Sequence, residues 1–196
     1  MTPVPTDELI LASTSPYRRR LLERLQLPFR CAAPGVDETP RAGETPLQLA
    51  LRLAHAKAAA IAAQQPGAYV IGSDQVACVG ATVLGKPGTR ERACAQLASC
   101  SARTVAFYTA VALVRGSTLL GQRCVHTEVR FRELSDAAIA DYVDREQPLD
   151  CAGSFRWEGL GICLFSALRS DDPTALEGLP LSATCDLLRE AGFSLP

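Results

Sequence analysis

Residues 11–20 read LASTSPYRRR, a short apolar strand that enters a hydroxyl-bearing turn and then a helix opening with three arginines. Ser15 and Pro16 are typical of a helix N-cap and first helical position, so they mark where this helix begins. The first turn of a helix carries partial positive charge and unpaired N–H groups, and arginines there cost stability unless an anion is present. Phosphate is the anion that such a helix end most often binds. The segment alone leaves open an exposed Arg19–Glu23 pair at i,i+4 spacing beside two solvated arginines.

The composition is that of a folded chain. With 196 residues, of which 47% are hydrophobic and 21% charged, the chain can bury a substantial core. We predict a single domain over residues 1–196, with residues 1–7 as a flexible tail. Asp7 and Glu8 precede only a very short apolar run, which argues against a signal peptide and predicts a cytoplasmic protein. Neither disorder nor a membrane span is expected from this composition.

The cysteines, the histidines and the net charge argue against several classes of protein. Eight cysteines are scattered through apolar segments with no C-x-x-C pair, which predicts reduced, buried thiols. The two histidines, His55 and His126, are isolated, which argues against a zinc site. A formal charge of −1 and a pI of about 6.1 argue against a nucleic-acid polymer as partner, so any anion binding is local.

Strand-like and helix-like segments are interleaved along the chain. Apolar or β-branched runs predict strands at 9–13, 29–33, 69–79, 104–114 and 124–131, the last two as an antiparallel hairpin. Capping and breaking residues predict helices that begin after Ser15 and at 45–65, 89–100, 135–146 and 180–191. The order does not repeat as strict βαβ units. It therefore predicts an α/β fold with a mixed, twisted sheet flanked by helices.

Asp74 lies within an otherwise apolar predicted strand, where aspartate is disfavoured both by propensity and by burial. A buried carboxylate needs a partner, and a metal ion or a catalytic water would supply one. The alternative is an aspartate that faces a turn at the end of the strand, near Gly72.

Two lysines also stand in unusual places. Lys57 shares a helical stripe with apolar residues, although a lysine there can extend its ammonium to solvent. Lys86 lies between Gly85 and Pro87, on a loop whose small neighbour permits close approach to a ligand, although a plain turn is the commoner meaning of that pattern.

A second carboxylate near Asp74 would complete a metal site. Asp37 and Glu38 follow the second predicted strand, and Mg²⁺ prefers one or two carboxylates together with water and phosphate oxygens. We therefore expect a divalent cation held by Glu38 and Asp74, Mg²⁺ first and Mn²⁺ as the alternative. Cations for phosphates, carboxylates for a metal and a buried aspartate to activate water are together the parts for binding and cleaving a nucleoside triphosphate.

The same residues carry a resemblance that covers nearly the whole chain from Leu9. The chain resembles the Maf family of nucleotide pyrophosphatases in a set of motifs that occur in the family's order. They are Ala12–Arg19 (ASTSPYRR), Val36–Thr39 (VDET), Ala54–Ala58 (AHAKA), Ile71–Val76 (IGSDQV), Gly85–Pro87 (GKP) and Cys151–Gly159 (CAGSFRWEG).

The resemblance implies an architecture, a partner and an activity. The architecture would be that of the inosine-triphosphate pyrophosphatases, with a central cleft, and the protein would be cytoplasmic and often a homodimer with a nucleotide as substrate. Within the family the chain looks like the branch that hydrolyses 7-methyl-GTP, marked by Ser73-Asp74-Gln75 and by Glu158. The dTTP/UTP branch typically has Ala-Asp-Thr and a later glutamine instead.

The resemblance also assigns roles to residues. Asp74 would be the catalytic base, and three residues would set base specificity: Tyr17, Gln75 and Glu158. The residues expected to bind the triphosphate are Ser13, Ser15, Arg18, Arg19, Lys57 and Lys86. One departure is Tyr17, since tryptophan is more often expected at this position in the branch.

The chemistry of 7-methylguanine suits two of these residues. Methylation at N7 gives the base a delocalised positive charge, which favours stacking on Tyr17 and attraction to Glu158. An ionised glutamate also accepts bonds from the N1–H and N2–H of guanine, whereas uracil and thymine would point carbonyl oxygens at it. Trp157 is a second candidate for the stacking ring, and a position in the core is the alternative.

Other functions remain open at this point. The same hydrolase could act on dTTP, UTP or a deaminated purine, and a module that binds nucleotides and regulates division without turnover is a rival from another class. Recognition of methylated RNA caps is disfavoured, because no basic stripe with interleaved aromatic residues extends beyond the predicted triphosphate site.

Overall fold

A seven-stranded mixed sheet is the framework of the protein, seen in a computed structural model that describes residues 8–196. The predicted tail at residues 1–7 lies outside the described residues. The strand order is β2-β1-β3-β5-β6-β7, with β4 paired to β3. The strands are β1 (Leu9–Leu11), β2 (Arg30–Cys31), β3 (Tyr69–Val79), β4 (Thr82–Leu84), β5 (Thr104–Arg115), β6 (Thr118–Phe131) and β7 (Phe165–Ser170).

The pairing of these strands confirms the prediction of a mixed sheet. β1 is parallel to both β2 and β3, whereas β4 is antiparallel to β3 and β7 is antiparallel to β6. β5 and β6 are neighbours joined by Gly116 and Ser117 alone, and so short a connection makes a hairpin, as predicted.

Side-chain caps fix the starts of four of the five α-helices within residues 8–196. Ser15, Thr45, Thr89 and Ser135 each accept a bond from the backbone N–H three residues later, which confirms the predicted N-caps. The α-helices are α1 (Pro16–Glu23), α2 (Pro46–Ala62), α3 (Arg90–Cys100), α4 (Asp136–Glu146) and α5 (Leu181–Glu190). Short 3₁₀ helices lie at Ala152–Ser154, Leu160–Leu164 and Pro173–Glu177.

Two strands, β4 and β7, were not predicted. β4 has only three residues, and β7 reads FSALRS without a β-branched residue, so neither carries a local strand signal. Each forms because a longer strand pairs with it, β7 through the register of Glu128 with Arg169. The predicted strands at 9–13 and 29–33 shorten to Leu9–Leu11 and Arg30–Cys31, and the predicted helix at 45–65 ends at Ala62.

The chain groups into two compact units. Residues 8–74, 109–125 and 172–196 belong to the first unit, and residues 75–108 and 126–171 belong to the second. The prediction of one domain over residues 1–196 and that of a central cleft both stay predictions.

Helices pack on both faces of the strands of the first unit. Leu9 and Leu11 of β1 pack in one apolar cluster with Leu188 of α5, whereas Ile10 packs in another cluster with Ile61 of α2. Successive side chains of a strand point to opposite faces, so this alternation places helices on each side. Strand β3 is covered on both faces as well, because Tyr69 and Ile71 pack in the first cluster and Val70 packs in the second.

An aromatic cluster around Phe155 anchors the second unit. The ring centroid of Phe155 lies 5.2 Å from that of Phe131, 5.7 Å from that of Phe165 and 6.1 Å from that of Phe107. Offset and edge-on pairs at such distances are favourable beyond the area they bury. Phe155 therefore fixes the start of the segment that carries Arg156, Trp157 and Glu158.

The cysteines correct one prediction. All eight are free thiols, but Cys31 and Cys163 are exposed, and only Cys78 and Cys100 are fully buried. The prediction of buried thiols was wrong for the two exposed residues, because Cys31 lies on the edge strand β2 and Cys163 in a surface 3₁₀ helix. Across residues 8–196, every helix is too short or too polar to span a bilayer.

Candidate active site

Asp74, Lys57 and Glu38 meet in the first unit and form what we call the carboxylate–lysine cluster. Nζ of Lys57 lies 2.6 Å from Oδ1 of Asp74 and 2.6 Å from Oε1 of Glu38. The side chains of Lys57 and Asp74 are only 7% and 8% exposed, whereas that of Glu38 is 56% exposed. The buried lysine is thus neutralised from both sides, and the alternative of a lysine extended to solvent is wrong.

Gly72 explains how α2 and β3 bring these residues together. A Cβ at this position would lie 2.1 Å from the carbonyl oxygen of Ala54 and 2.6 Å from the backbone nitrogen of Ala58. Only glycine permits the helix to lie so close to the strand, and the small alanines of α2 complete the fit. Lys57 and Asp74 therefore meet because their neighbours on both elements lack bulk, and Asp74 lies within β3 and not at a turn.

A second ion pair ties the segment that carries Glu38 to α2. Nε and Nη2 of Arg52 lie 2.6 and 2.8 Å from the two carboxylate oxygens of Glu44, and the same Nη2 donates to the carbonyl of Thr39 at 3.1 Å. Asp37 caps the turn by accepting from the backbone N–H of Thr39 at 2.9 Å. Hydrogen bonding to Arg52 lowers the pKa of Glu44 to about 2.

We expect Glu44→Gln to lower Tm at pH 7. The difference in Tm between variant and wild type should become smaller as the pH falls from about 5 toward 3. A carboxylate with a lowered folded pKa stabilises above its unfolded pKa of about 4.3, and this contribution is lost as the pH falls toward the folded pKa. Thermal unfolding as a function of pH measures it. Glu190→Gln, which breaks the exposed Arg123–Glu190 pair, is the matched control; a difference that is constant with pH would contradict the prediction.

Arg18 is held against the C-terminal segment of the first unit. Its Nε–H donates to the carbonyl of Gly178 at 2.7 Å, and the hydroxyl of Ser73 lies 2.8 Å from the same oxygen. Burial lowers the pKa of the Arg18 guanidinium, and the negative charges of Asp74 and Glu38 oppose this effect. The group stays cationic, because a guanidinium is the most strongly basic of the side-chain groups.

The electrostatics of Asp74 suit proton transfer. Burial raises the pKa of its carboxyl, and the positive charges of Lys57 and Arg18 oppose the rise. A carboxylate that is more basic than an ordinary aspartate is a better acceptor for the proton of a nucleophilic water.

Ser13, Ser15 and Arg19 of the predicted phosphate-binding turn have partners within the protein. Ser13 accepts from the backbone N–H of Ser15 at 3.1 Å, and Ser15 accepts from that of Arg18 at 3.4 Å, so both hydroxyls order the turn. Arg19 instead forms the exposed pair with Glu23, at 2.9 Å between Nε and Oε1. For Arg19 this is the arrangement that the sequence left open, and its phosphate contact stays a prediction.

Tyr17 is half-buried and carries a cation on its ring. The guanidinium carbon of Arg20 lies 5.3 Å from the ring centroid. Arg20 is itself exposed, in contrast to the partly buried Arg18.

Gln75, Lys86 and Glu158 belong to the second unit. Gln75 is half-buried and Lys86 is exposed. The side chain of Glu158 is 27% exposed, and its Oε1 lies 3.4 Å from Nε of Arg156. Trp157 is half-buried, and its Nε1–H is buried without a hydrogen-bond partner among residues 8–196. The roles of all four stay predictions.

Several residues of this site were not predicted from sequence. Gly178 accepts a hydrogen bond from Arg18, and Arg52 with Glu44 holds the segment that carries Glu38. A signal existed for Gly72, which stands two residues before Asp74 in an apolar strand. None existed for Gly178, which is 160 residues from Arg18.

No group of three or more His, Cys, Asp or Glu residues within residues 8–196 is arranged as a metal site. The two carboxylates of the carboxylate–lysine cluster are the residues that could hold a divalent cation, with the remaining positions left to water and phosphate.

A family model and several named proteins are similar to this chain. Residues 8–191 match the family model described as Maf-like protein. A 7-methyl-GTP pyrophosphatase of Xanthomonas oryzae pv. oryzae is 60% identical over 188 residues, 96% of this chain and 98% of that protein. One of Albidiferax ferrireducens is 54% identical over 189 residues, 96% of this chain and 95% of that protein. A solved HAM1 protein of Coxiella burnetii matches with a TM-score of 0.44 and 19% identity, over 64% of this chain and 73% of that one.

Proposed function

The chain belongs to the Maf family, and we propose that it hydrolyses 7-methyl-GTP to 7-methyl-GMP and pyrophosphate. The observation that carries the hydrolase part is the buried Lys57, which lies 2.6 Å from both Asp74 and Glu38 in the first unit. The proposal of 7-methyl-GTP as the substrate rests on the relatives named 7-methyl-GTP pyrophosphatase and on the motifs that contain Gln75 and Glu158.

Cleavage between the α- and β-phosphates requires an in-line water, a base for its proton and positive charge on the phosphoryl oxygens. Asp74 is the base in this proposal, because its burial and raised pKa favour uptake of a proton. The proton then resides on the carboxyl group of Asp74, and Lys57 holds that carboxyl group in place.

The positive charge comes from side chains that are already ordered. Arg18 uses its Nε–H on Gly178, so its terminal amino groups are the ones that would grip phosphoryl oxygens. Lys57 adds a second cation beside the water-activating carboxylate, and it needs no reorganisation because both neighbours fix it. Ser13, Ser15, Arg19 and Lys86 complete the proposed triphosphate contacts.

A divalent cation, Mg²⁺ or Mn²⁺, is proposed at Glu38 and Asp74. Both carboxylates lie 2.6 Å from Nζ of Lys57, so a hard cation would share them with this lysine. Such a cation would neutralise charge on the phosphates and lower the pKa of a bound water. The half-exposed side chain of Glu38 keeps the carboxylate–lysine cluster open to solvent.

Base selection is assigned to Tyr17, Gln75 and Glu158. Arg20 already places a planar cation over the Tyr17 ring, which supports that face as one that accepts the cationic 7-methylguanine. Glu158 adds negative charge and two acceptor oxygens for the Watson–Crick edge of guanine. Gln75 is compatible with a further contact to base or sugar.

Product analysis tests the proposed reaction. Purified protein with Mg²⁺ is incubated with 7-methyl-GTP, GTP, UTP, dTTP and dITP in parallel, and the products are separated by chromatography. We expect pyrophosphate and 7-methyl-GMP in one step, with 7-methyl-GTP the preferred substrate. Orthophosphate and 7-methyl-GDP as first products, or a preference for UTP or dTTP, would overturn the proposal.

A cytoplasmic location and a homodimer, both implied by the family resemblance, complete the proposal. Light scattering on a sizing column tests the dimer, with a monomer mass as the contrary result.

We expect Glu158→Gln to lower kcat/KM for 7-methyl-GTP by about 10–100-fold, the scale of a charge-assisted hydrogen bond. Glutamine keeps the size of the side chain but removes the charge that complements the methylated base, and its amide donates to a pyrimidine carbonyl. The ratio of kcat/KM for 7-methyl-GTP to that for UTP measures the effect. Glu190→Gln breaks a comparable glutamate–arginine pair and should leave the ratio unchanged; an unchanged ratio in Glu158→Gln would refute the role of Glu158.

A further inference from the structure

Glu146 is a charged residue with a largely buried side chain that the reaction does not use. It is the last residue of α4, and its side chain is only 9% exposed. Its Oε1 lies 3.0 Å from Nη1 of Arg156, and its Oε2 accepts from the backbone N–H of Leu160 at 2.6 Å. A buried carboxylate of this kind is retained only with such charged and hydrogen-bonded partners.

Tyr142, one turn earlier on α4, fixes the other end of the same segment. Its hydroxyl accepts from the backbone N–H of Arg156 at 3.1 Å. Burial raises the pKa of the Tyr142 hydroxyl, so it stays neutral near pH 7. Residues 156 and 160 are therefore both tied to α4, and Glu158 lies midway between them.

Gly159 brings the segment close to Glu146. A Cβ at this position would lie 2.6 Å from both carboxylate oxygens of Glu146. The backbone next to Glu158 thus packs directly on the buried carboxylate, and a side chain at position 159 would displace the carboxylate of Glu146.

Arg156 connects the two glutamates. Its Nη1 lies 3.0 Å from Oε1 of Glu146, and its Nε lies 3.4 Å from Oε1 of Glu158, which is an ion-pair distance without hydrogen-bond geometry, so one guanidinium carries ionic contacts to both carboxylates. A glutamate at the surface loses rotamer freedom when it binds a ligand, and a preset side chain loses less. Glu158 and Glu146 are thus linked electrostatically through the same guanidinium.

We propose that Glu146 is a positioning residue for base selectivity, because it holds, together with Arg156, the segment that presents Glu158. This inference rests on the proposed function and adds to it a residue that contacts no substrate atom. Because its contacts are with Arg156 and Leu160 of the segment that carries Glu158, Glu146 acts on substrate selection and not on the chemical step.

Three variants test the proposal against wild type. Glu146→Gln keeps an acceptor for Leu160 but removes the charge that faces Arg156. Arg156→Lys keeps the positive charge but replaces the planar guanidinium with a single ammonium. The matched control is Asp144→Asn on the same helix, which breaks the exposed Arg90–Asp144 pair.

We expect both Glu146→Gln and Arg156→Lys to lower the 7-methyl-GTP to UTP ratio of kcat/KM by about three- to tenfold, within the range seen for coupled neighbours. The change should appear as a higher KM for 7-methyl-GTP with kcat nearly unchanged. Asp144→Asn should keep the wild-type ratio. An unchanged ratio in a folded Glu146→Gln, or an unchanged ratio in Arg156→Lys if the first variant does not fold, overturns the proposal.

The double variant Glu146→Gln/Glu158→Gln separates positioning from general destabilisation. If Glu146 acts through Glu158, the double variant loses no more selectivity than Glu158→Gln alone. Additive losses would show an independent role and overturn the inference. Failure of the proposed function is read separately, from the preference of the wild-type protein among the five triphosphates.

Discussion

Asp74→Asn is expected to reduce kcat by about 10²–10⁴-fold, the scale of losing a general base, with metal loss adding to it. The amide has nearly the same shape as the carboxylate, but it cannot accept the proton of water and is a poor ligand for Mg²⁺. Lys57 keeps its contact with Glu38 in this variant, at 2.6 Å in the wild-type structure, so the fold should persist. Steady-state turnover of 7-methyl-GTP and thermal unfolding measure the two quantities.

Asp144→Asn is the control for this prediction, because it makes the same chemical change at an exposed residue paired with Arg90. It should retain wild-type turnover. If Asp74→Asn kept more than about half of wild-type activity, the general base would have to lie elsewhere.

The sequence predicted elements that local chemistry specifies. Strand β3 was expected over 69–79 and is observed over Tyr69–Val79, because a long apolar run with β-branched residues has one stable form in a covered sheet. The helix starts followed from Ser15, Thr45, Thr89 and Ser135, whose side chains bond the first turn directly. Asp74 stood out for the same reason, since a carboxylate in that run breaks a local rule.

Contacts between distant residues could not be predicted in this way. Lys57 and Asp74 meet only because α2 lies on β3 at Gly72, and no local pattern states which helix packs on which strand. Gly178 orients Arg18 from 160 residues away. Glu146 has the sequence pattern of an ordinary helix-end glutamate, and its partners Arg156 and Leu160 follow it by 10 and 14 residues.

The first-turn arginines differ in their surroundings within one helix. The sequence showed that arginines in the first turn of α1 are electrostatically unfavourable, but it could not show which groups each arginine contacts. Arg18 turns toward Gly178 and the carboxylates, whereas Arg19 pairs with Glu23 at the surface. The direction of each side chain follows from which helical face packs on the unit, and that face is set by Leu21 and Leu22, both buried.

Lys57→Met is expected to destabilise the protein by about 3–5 kcal/mol and to lower kcat by about 10²–10³-fold. Methionine fills the volume of the lysine stem but leaves the carboxylate of Asp74, 8% exposed, without its nearest positive charge. An unpaired buried carboxylate is strongly destabilising, and the phosphoryl oxygens lose a preorganised cation in the same variant. Urea unfolding and steady-state turnover measure the two effects, with Arg24→Met as the control for loss of an exposed cation.

The combination Lys57→Met/Asp74→Asn tests the physical cause of that destabilisation. Removing the second partner removes the uncompensated charge, and replacing both members of a buried pair is far less costly than removing one. The double variant should therefore be more stable than Lys57→Met alone, although it is inactive. If the double variant is less stable than Lys57→Met, the stabilising effect of Lys57 does not come from its ion pair with Asp74. A wild-type free energy of unfolding in Lys57→Met would mean that the ammonium reaches solvent in the folded protein.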